Sequence, residues 1–174
     1  MTIKIEDYIR NIPDFPKKGI QFKDITPLLA NPEALKECLK LMTEPFREMG
    51  ITHVVAVEAR GFLFGPHIAA ELGVGFIPVR KPGKLPYETH EISYELEYGT
   101  DTLQIHKDAL TPGAKVLIVD DLLATGGTVN AVCQLVEKFD ASVIAAGFMI
   151  ELEFLQGHKL LTPHIPNIVS LIKY

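Results

Sequence analysis

Apolar positions recur along this chain in two rhythms. Leu35, Cys38, Leu39, Met42, Phe46 and Met49 fall at helical spacing in "PEALKECLKLMTEPFREMG", with Pro32 before the run and Gly50 closing it. Pro45 cannot donate to the carbonyl four residues back, so a kink or split is predicted there. Val129, Val132, Cys133, Val136 and Phe139 repeat the helical rhythm in "TGGTVNAVCQLVEKFD". Elsewhere the apolar residues are continuous: "THVVAVEA", "GFIPVR", "KVLIVDD" and "ASVIAAGFMIEL". Short continuous runs joined by helices imply strands buried on both faces of a parallel sheet. "GFLFGPHIAAELG" supplies a turn and helix between the first two, and Phe62, Leu63 and Phe64 are expected to pack the helix start. "ISYELEYG" and "TDTLQIH", separated by a turn-forming Gly-Thr-Asp, read as a hairpin inserted between the second and third strands. The expectation is one α/β domain over residues 1–174, a twisted parallel sheet flanked by helices, with residues 81–106 as the insert.

The bulk numbers are compatible with that. A chain of 174 residues, 47% hydrophobic and 22% charged, can enclose one sizeable core. A net charge of −5 argues against a broad nucleic-acid or polybasic membrane surface, so any anion site must be local. "MTIKIEDYIRNIPDF" lacks a basic stretch followed by an apolar segment, and "ASVIAAGFMI" is far short of a membrane span. A cytoplasmic protein is expected. Cys38 and Cys133 both sit on apolar helix stripes, where buried, unreactive thiols are the simplest reading.

The chemistry concentrates in "VLIVDDLLATGGT", residues 116–128. In a parallel sheet the loops leaving the carboxyl ends of the strands line the ligand crevice, which puts "EARGF" and "DDLLATGGT" on one rim. Gly126 and Gly127 let backbone approach an anion, Thr125 and Thr128 add hydroxyl donors, and the following helix offers unpaired N–H groups and its positive end. That describes a monophosphate cradle. Asp120 and Asp121 beside it should repel a phosphate, since unit charges about 4 Å apart interact by roughly 4 kcal/mol at an effective dielectric near 20. A sugar phosphate resolves the conflict, its phosphate in the cradle and its hydroxyls donating to the carboxylates, with a divalent ion further cancelling the repulsion. His90 has no second histidine at zinc-helix spacing, so no protein-held metal is expected.

This stretch resembles the phosphoribosyl-pyrophosphate loop of the type I phosphoribosyltransferases. "FKDITPLL", "EARGFLFGP", "RKPGKLPYET" and "SYELEYG" stand in the order and spacing of the members that use adenine. The resemblance spans nearly the whole chain. It implies the type I fold with a flexible hairpin lid and a small hood, and conversion of phosphoribosyl pyrophosphate, with magnesium, and adenine into AMP and pyrophosphate by a cytoplasmic homodimer in purine salvage. It places the 5-phosphate on Ala124, Thr125, Gly126, Gly127 and Thr128, and the ribose hydroxyls near Asp120 and Asp121. Pyrophosphate is implied at Arg60, Arg80, Lys81 and Lys84, some of which are expected to act across the dimer. Glu97 and Tyr98 are implied at the reacting centre, Glu97 as a base for the purine or as a charge facing the oxocarbenium-like transition state. Backbone of Gln21 and Lys23 is implied at the edge of adenine, with Phe22 and Leu152 against its faces; arginine is common among relatives where Lys23 stands.

Three rivals make different demands. A binding module that has lost turnover would need a basic, helix-rich extension for its target, and only about twenty residues, not a basic stretch, precede "QFKD". A signalling receiver would carry its aspartate pair on the first strand, whereas two thirds of this chain precede Asp120. An orotate or xanthine enzyme shares the loop and lacks "SYELEYG".

Overall fold

In the computed structural model, residues 3–95 and 99–174 are described. They divide into two compact units, Met1–Leu41 and Met42–Tyr174. In the first, β1 (Arg10–Pro13) pairs antiparallel with β2 (Gln21–Asp24). The short helix α1 (Thr26–Ala30) follows, with Asp24 accepting hydrogen bonds from the Thr26 N–H (2.9 Å) and hydroxyl (2.9 Å). Ile5, Ile25, Leu28, Ala34 and Cys38 are its buried apolar residues.

The helix α2 (Pro32–Thr43) begins where Asn31 caps the Ala34 N–H at 2.9 Å and ends two residues before Pro45. The chain then tightens into a 3-10 turn over Glu44–Phe46, the split that a proline without an N–H dictates.

The larger unit is built on five parallel strands. They are β3 (His53–Val57), β4 (Gly75–Val79), β7 (Lys115–Leu123), β8 (Ser142–Glu151) and β9 (Asn167–Lys173), in spatial order β4-β3-β7-β8-β9. Between them run α3 (Gly65–Leu72), α4 (Gly127–Glu137) and α5 (Gly157–Leu161). Val54, Val55, Ala56, Val116, Leu117 and Val119 are fully buried, as continuous apolar strands require. Pro78 is tolerated because β4 is an edge strand. The strand β9 escaped the sequence reading, and its buried Ile172 helps complete the core.

The insert forms β5 (Thr89–Glu95) and β6 (Thr100–His106), an antiparallel pair between β4 and β7 in the chain. One face of this hairpin is core. Leu103 and Ile105 are buried in the cluster that contains Val129, Val132 and Val136 of α4, and Ile92 and Tyr94 pack against it. The backbone of Arg80 also pairs with Gln104. Glu97 and Tyr98 lie outside the described residues.

The order of the strands fixes where a ligand can sit. From β3 the chain steps to β4 on one side, and then returns to place β7 on the other. The crevice beyond the carboxyl ends of β3 and β7 is therefore the switch point of the sheet, where open α/β folds bind ligands.

Candidate active site at the sheet switch point

Residues 124–126 carry the chain from the end of β7 into α4, and no side chain caps that helix end. Its first N–H groups therefore remain donors facing outward. Asp120, Leu122, Leu123, Ala124, Thr125, Gly126, Gly127, Thr128 and Val129 line a cleft of about 80 Å³. The two glycines play different parts. Gly126 has φ of 86°, and a Cβ there would also lie 3.0 Å from the Gly157 carbonyl oxygen. A Cβ at Gly127 would meet nothing nearer than Tyr94 Cδ2 at 3.9 Å and Thr125 Oγ1 at 4.0 Å. The fold needs Gly126; the space above Gly127 is left for something else.

Gly157, at the start of α5, was not singled out from sequence. A Cβ on it would overlap the Ala124 carbonyl oxygen and stand 3.0 Å from the Gly126 nitrogen, so this glycine backs the cradle by direct backbone contact. Only the fold reveals it, because it lies 31 positions beyond Gly126 in the chain.

The carboxylates are unequal. Asp121 is 3% exposed, and its Oδ2 pairs with Arg60 Nε at 3.0 Å. Asp120 accepts the Asp121 N–H at 2.9 Å. Burial, reinforced by the Asp121 charge, holds the Asp120 carboxyl well above the usual carboxylate range. Burial raises Asp121 too, opposed by the Arg60 charge. Burial thus works against ionising both carboxyls at once, as expected of a site completed by a ligand.

A test follows from the sign of that shift. A carboxyl whose folded pKa is raised loses stability as pH climbs from the ordinary value near 4 through the raised one. Asp120→Asn keeps the acceptor oxygen for Asp121 and removes the charge. Without ligand the variant is expected to melt higher than the parent at pH 7.5, by about 2–4 °C per kcal/mol recovered in a domain of this size. The gap should close below about pH 4. Thermal unfolding at both pH values checks it, and a variant that melts lower at pH 7.5 would show that the Asp120 charge stabilises the fold.

The other rim residues come together through pairs invisible in the linear sequence. Glu58, just past β3, accepts the Lys81 N–H at 2.7 Å and pairs with Arg80 Nη2 at 3.1 Å. These contacts, the Lys81 N–H first, hold its carboxyl pKa below the ordinary value, although burial opposes them. Glu58 stood unremarked within "EARGF". Its role follows only from the register that sets Val57 beside Val79. Lys81 Nζ pairs with Asp101 of β6 at 3.1 Å, while Lys84 is exposed and its carbonyl accepts from Arg80 Nη1 at 3.3 Å. Arg80 Nε is buried with no hydrogen-bond partner among the described residues.

Phe62 meets Phe76 edge-on at 5.7 Å and Phe64 is fully buried, the packing expected at the start of α3, whereas Leu63 stays 38% exposed. Both cysteines are buried and burial pushes their thiols up to about 12, so neither is reactive. Leu152 follows β8 directly and donates its N–H to the Leu123 carbonyl at 2.9 Å. Gln21, Phe22 and Lys23 form β2 in the first unit. There Asn11 donates to Gln21 Oε1 at 2.6 Å and accepts from Lys23 Nζ at 3.2 Å, and Phe15 meets Phe22 edge-on at 5.2 Å. Among the described residues no group of three His, Cys, Asp or Glu side chains could hold a metal ion, and no helix is long and apolar enough to cross a membrane.

Residues 24–158 match the model of the phosphoribosyl transferase domain family. The adenine phosphoribosyltransferase of Francisella philomiragia is 57% identical over 172 residues, covering 98% of this chain and 97% of its own. The chain belongs to the adenine phosphoribosyltransferase family. The crystal structure of the member from Thermoanaerobacter pseudethanolicus superposes with a TM-score of 0.93 at 54% identity, covering 98% of each chain. That of the Saccharomyces cerevisiae member, complexed with an imino-altritol bisphosphate and adenine, reaches 0.87 at 43% identity over 96% of each. Membership decides against the receiver and the binding module, and the chain is a transferase with the type I phosphoribosyltransferase fold.

Proposed function

We propose that the switch-point rim carries out the family's reaction with its labour divided among the groups just described. The protein transfers the 5-phosphoribosyl group of phosphoribosyl pyrophosphate to adenine, giving AMP and pyrophosphate. The observation that carries this reading is the paired aspartates beside a cradle whose Gly127 position is open. In it, the N–H groups of residues 124–128 and the Thr125 and Thr128 hydroxyls hold the 5-phosphate, while Asp120 and Asp121 accept from the ribose hydroxyls. Arg60, Arg80, Lys81 and Lys84 face the pyrophosphate, Arg60 while still paired to Asp121.

On the family resemblance alone, the backbone of Gln21 and Lys23 is assigned to the edge of adenine and Phe22 to a face, and Leu152, just past β8, is assigned to the base on the same resemblance. Asn11 occupies the Gln21 and Lys23 side chains, which supports main-chain rather than side-chain readout. That lessens the weight of lysine at position 23. Glu97 and Tyr98 stand at the reacting centre on the family resemblance alone.

Magnesium fits this site as a companion of the substrate. Two carboxylates, both raised in pKa by burial, are too few for a protein cage and suited to a cation that keeps its waters and substrate oxygens. When bound, the ion neutralises pyrophosphate charge. The chain's own contribution is to align the aspartates and cations around it. The same resemblance supports a cytoplasmic homodimer in purine salvage, with part of the basic loop at residues 80–84 reaching the partner's site.

Calorimetric titration with phosphoribosyl pyrophosphate, with and without magnesium, tests the division of labour. Binding is expected only with the ion; equal affinity under both conditions would contradict it.

A further inference from the structure

Among the described residues, the hairpin meets the cradle through a polar contact. Tyr94 of β5 places its hydroxyl 3.2 Å from Thr128 Oγ1, and its ring edge stands over the open side of Gly127. The ring is half-buried and packs against the core cluster shared by α4 and β6. Across the hairpin Tyr94 is opposite Asp101, whose Oδ2 holds Lys81 Nζ at 3.1 Å. A short chain of groups thus runs from the phosphate loop through the hairpin to the basic loop.

Hydrogen-bond arithmetic gives this contact a direction once the cradle is filled. A phosphate offers only acceptors, so Thr128 must point its single proton at the ligand. Its oxygen then accepts, and Tyr94 becomes the donor. Without an anion either hydroxyl can donate, so ligand binding orders the pair. Burial, the larger influence on Tyr94, raises its phenol above the ordinary value and keeps the donor protonated at neutral pH.

We propose that Tyr94 is a positioning residue that sets the Thr128 hydroxyl for the 5-phosphate and thereby couples the seating of the hairpin to occupancy of the cradle. The proposal rests on the cradle reading, and it adds a residue that acts through the Thr128 hydroxyl. It also extends the coupling toward Lys81, because Asp101, which pairs with that lysine, shares a register position with Tyr94.

The test is a double-mutant cycle of Tyr94→Phe and Thr128→Val, read by the KM for phosphoribosyl pyrophosphate and by calorimetric binding of ribose 5-phosphate. Tyr94→Phe keeps the ring packing and removes one hydrogen bond, so a loss of about three- to tenfold in affinity for both ligands is expected. The KM for adenine and the melting temperature should stay nearly unchanged. In the Thr128→Val background the same change should cost less than twofold. An equal cost in both backgrounds would overturn the proposal, because it would assign the effect to packing. If Thr128→Val alone leaves ribose 5-phosphate affinity intact, the cradle reading itself fails, a distinguishable outcome. Amide hydrogen exchange reports the coupling directly. Saturating ribose 5-phosphate should slow exchange across residues 89–95 in the parent and much less in Tyr94→Phe, and equal protection in both would contradict it.

Discussion

Gly127→Val is expected to abolish detectable binding of phosphoribosyl pyrophosphate at concentrations that saturate the parent, while its melting temperature stays within a few degrees. The backbone at Gly127 does not need glycine's freedom, since its φ is not positive and the nearest atoms to a new Cβ are 3.9 and 4.0 Å away. Valine in place of glycine at a first helical position changes helix propensity by less than about 1 kcal/mol. What the isopropyl group fills is the volume before the N–H groups of α4 and the Thr125 and Thr128 hydroxyls. Gly126→Ala serves as the contrast. It combines a φ of 86° with a Cβ 3.0 Å from the Gly157 carbonyl, so it should lower stability as well as binding. Calorimetry and thermal melts on the two variants separate ligand space from fold. A Gly127→Val protein that melts far below the parent would make the residue structural and weaken the cradle.

The second large effect is expected at Glu97. It follows Glu95, the last residue of β5, by two positions in the chain, and its role comes from the family pattern in "SYELEYG". A positioned acid or base contributes about a hundredfold to ten-thousandfold in rate, and a charge facing a developing cation contributes on the same scale. Glu97→Gln preserves size and removes the charge, so turnover should fall at least about a hundredfold. The KM for phosphoribosyl pyrophosphate should move far less, because a contact made chiefly in the transition state lowers kcat and kcat/KM together. Steady-state kinetics with adenine reads both. Near-full turnover in the glutamine variant would remove Glu97 from the reaction and leave the phosphate loop untouched.

How much of this was legible beforehand depended on chain distance. Val54–Val57, Val116–Val119 and Ala145–Ile150 announced central strands because burial on both faces leaves no polar alternation. Pro45 announced the end of α2 by what its nitrogen lacks. The phosphate loop was readable because its donors and glycines are consecutive. Less visible were β1 and β2, none of whose residues is fully buried and which carry no apolar rhythm, and β9, where Ser170 interrupts a short run. The expected flexible lid carried no sign that Leu103 and Ile105 anchor the hairpin in the core, because alternation shows that one face is apolar without naming what covers it. Arg60 with Asp121, Arg80 with Glu58, Lys81 with Asp101, Tyr94 with Thr128 and Gly157 behind Gly126 all join residues 20 or more positions apart. Each depends on strand order or register, which no local pattern encodes.

The most direct measurement offers the protein phosphoribosyl pyrophosphate and magnesium with adenine, guanine, hypoxanthine, xanthine and orotate together, and follows each nucleotide product and pyrophosphate over time. The account predicts AMP and pyrophosphate in equal amounts, with the other four bases left unconsumed until adenine is exhausted. Preferential formation of any other nucleotide, or binding of phosphoribosyl pyrophosphate with no transfer to adenine, would contradict it.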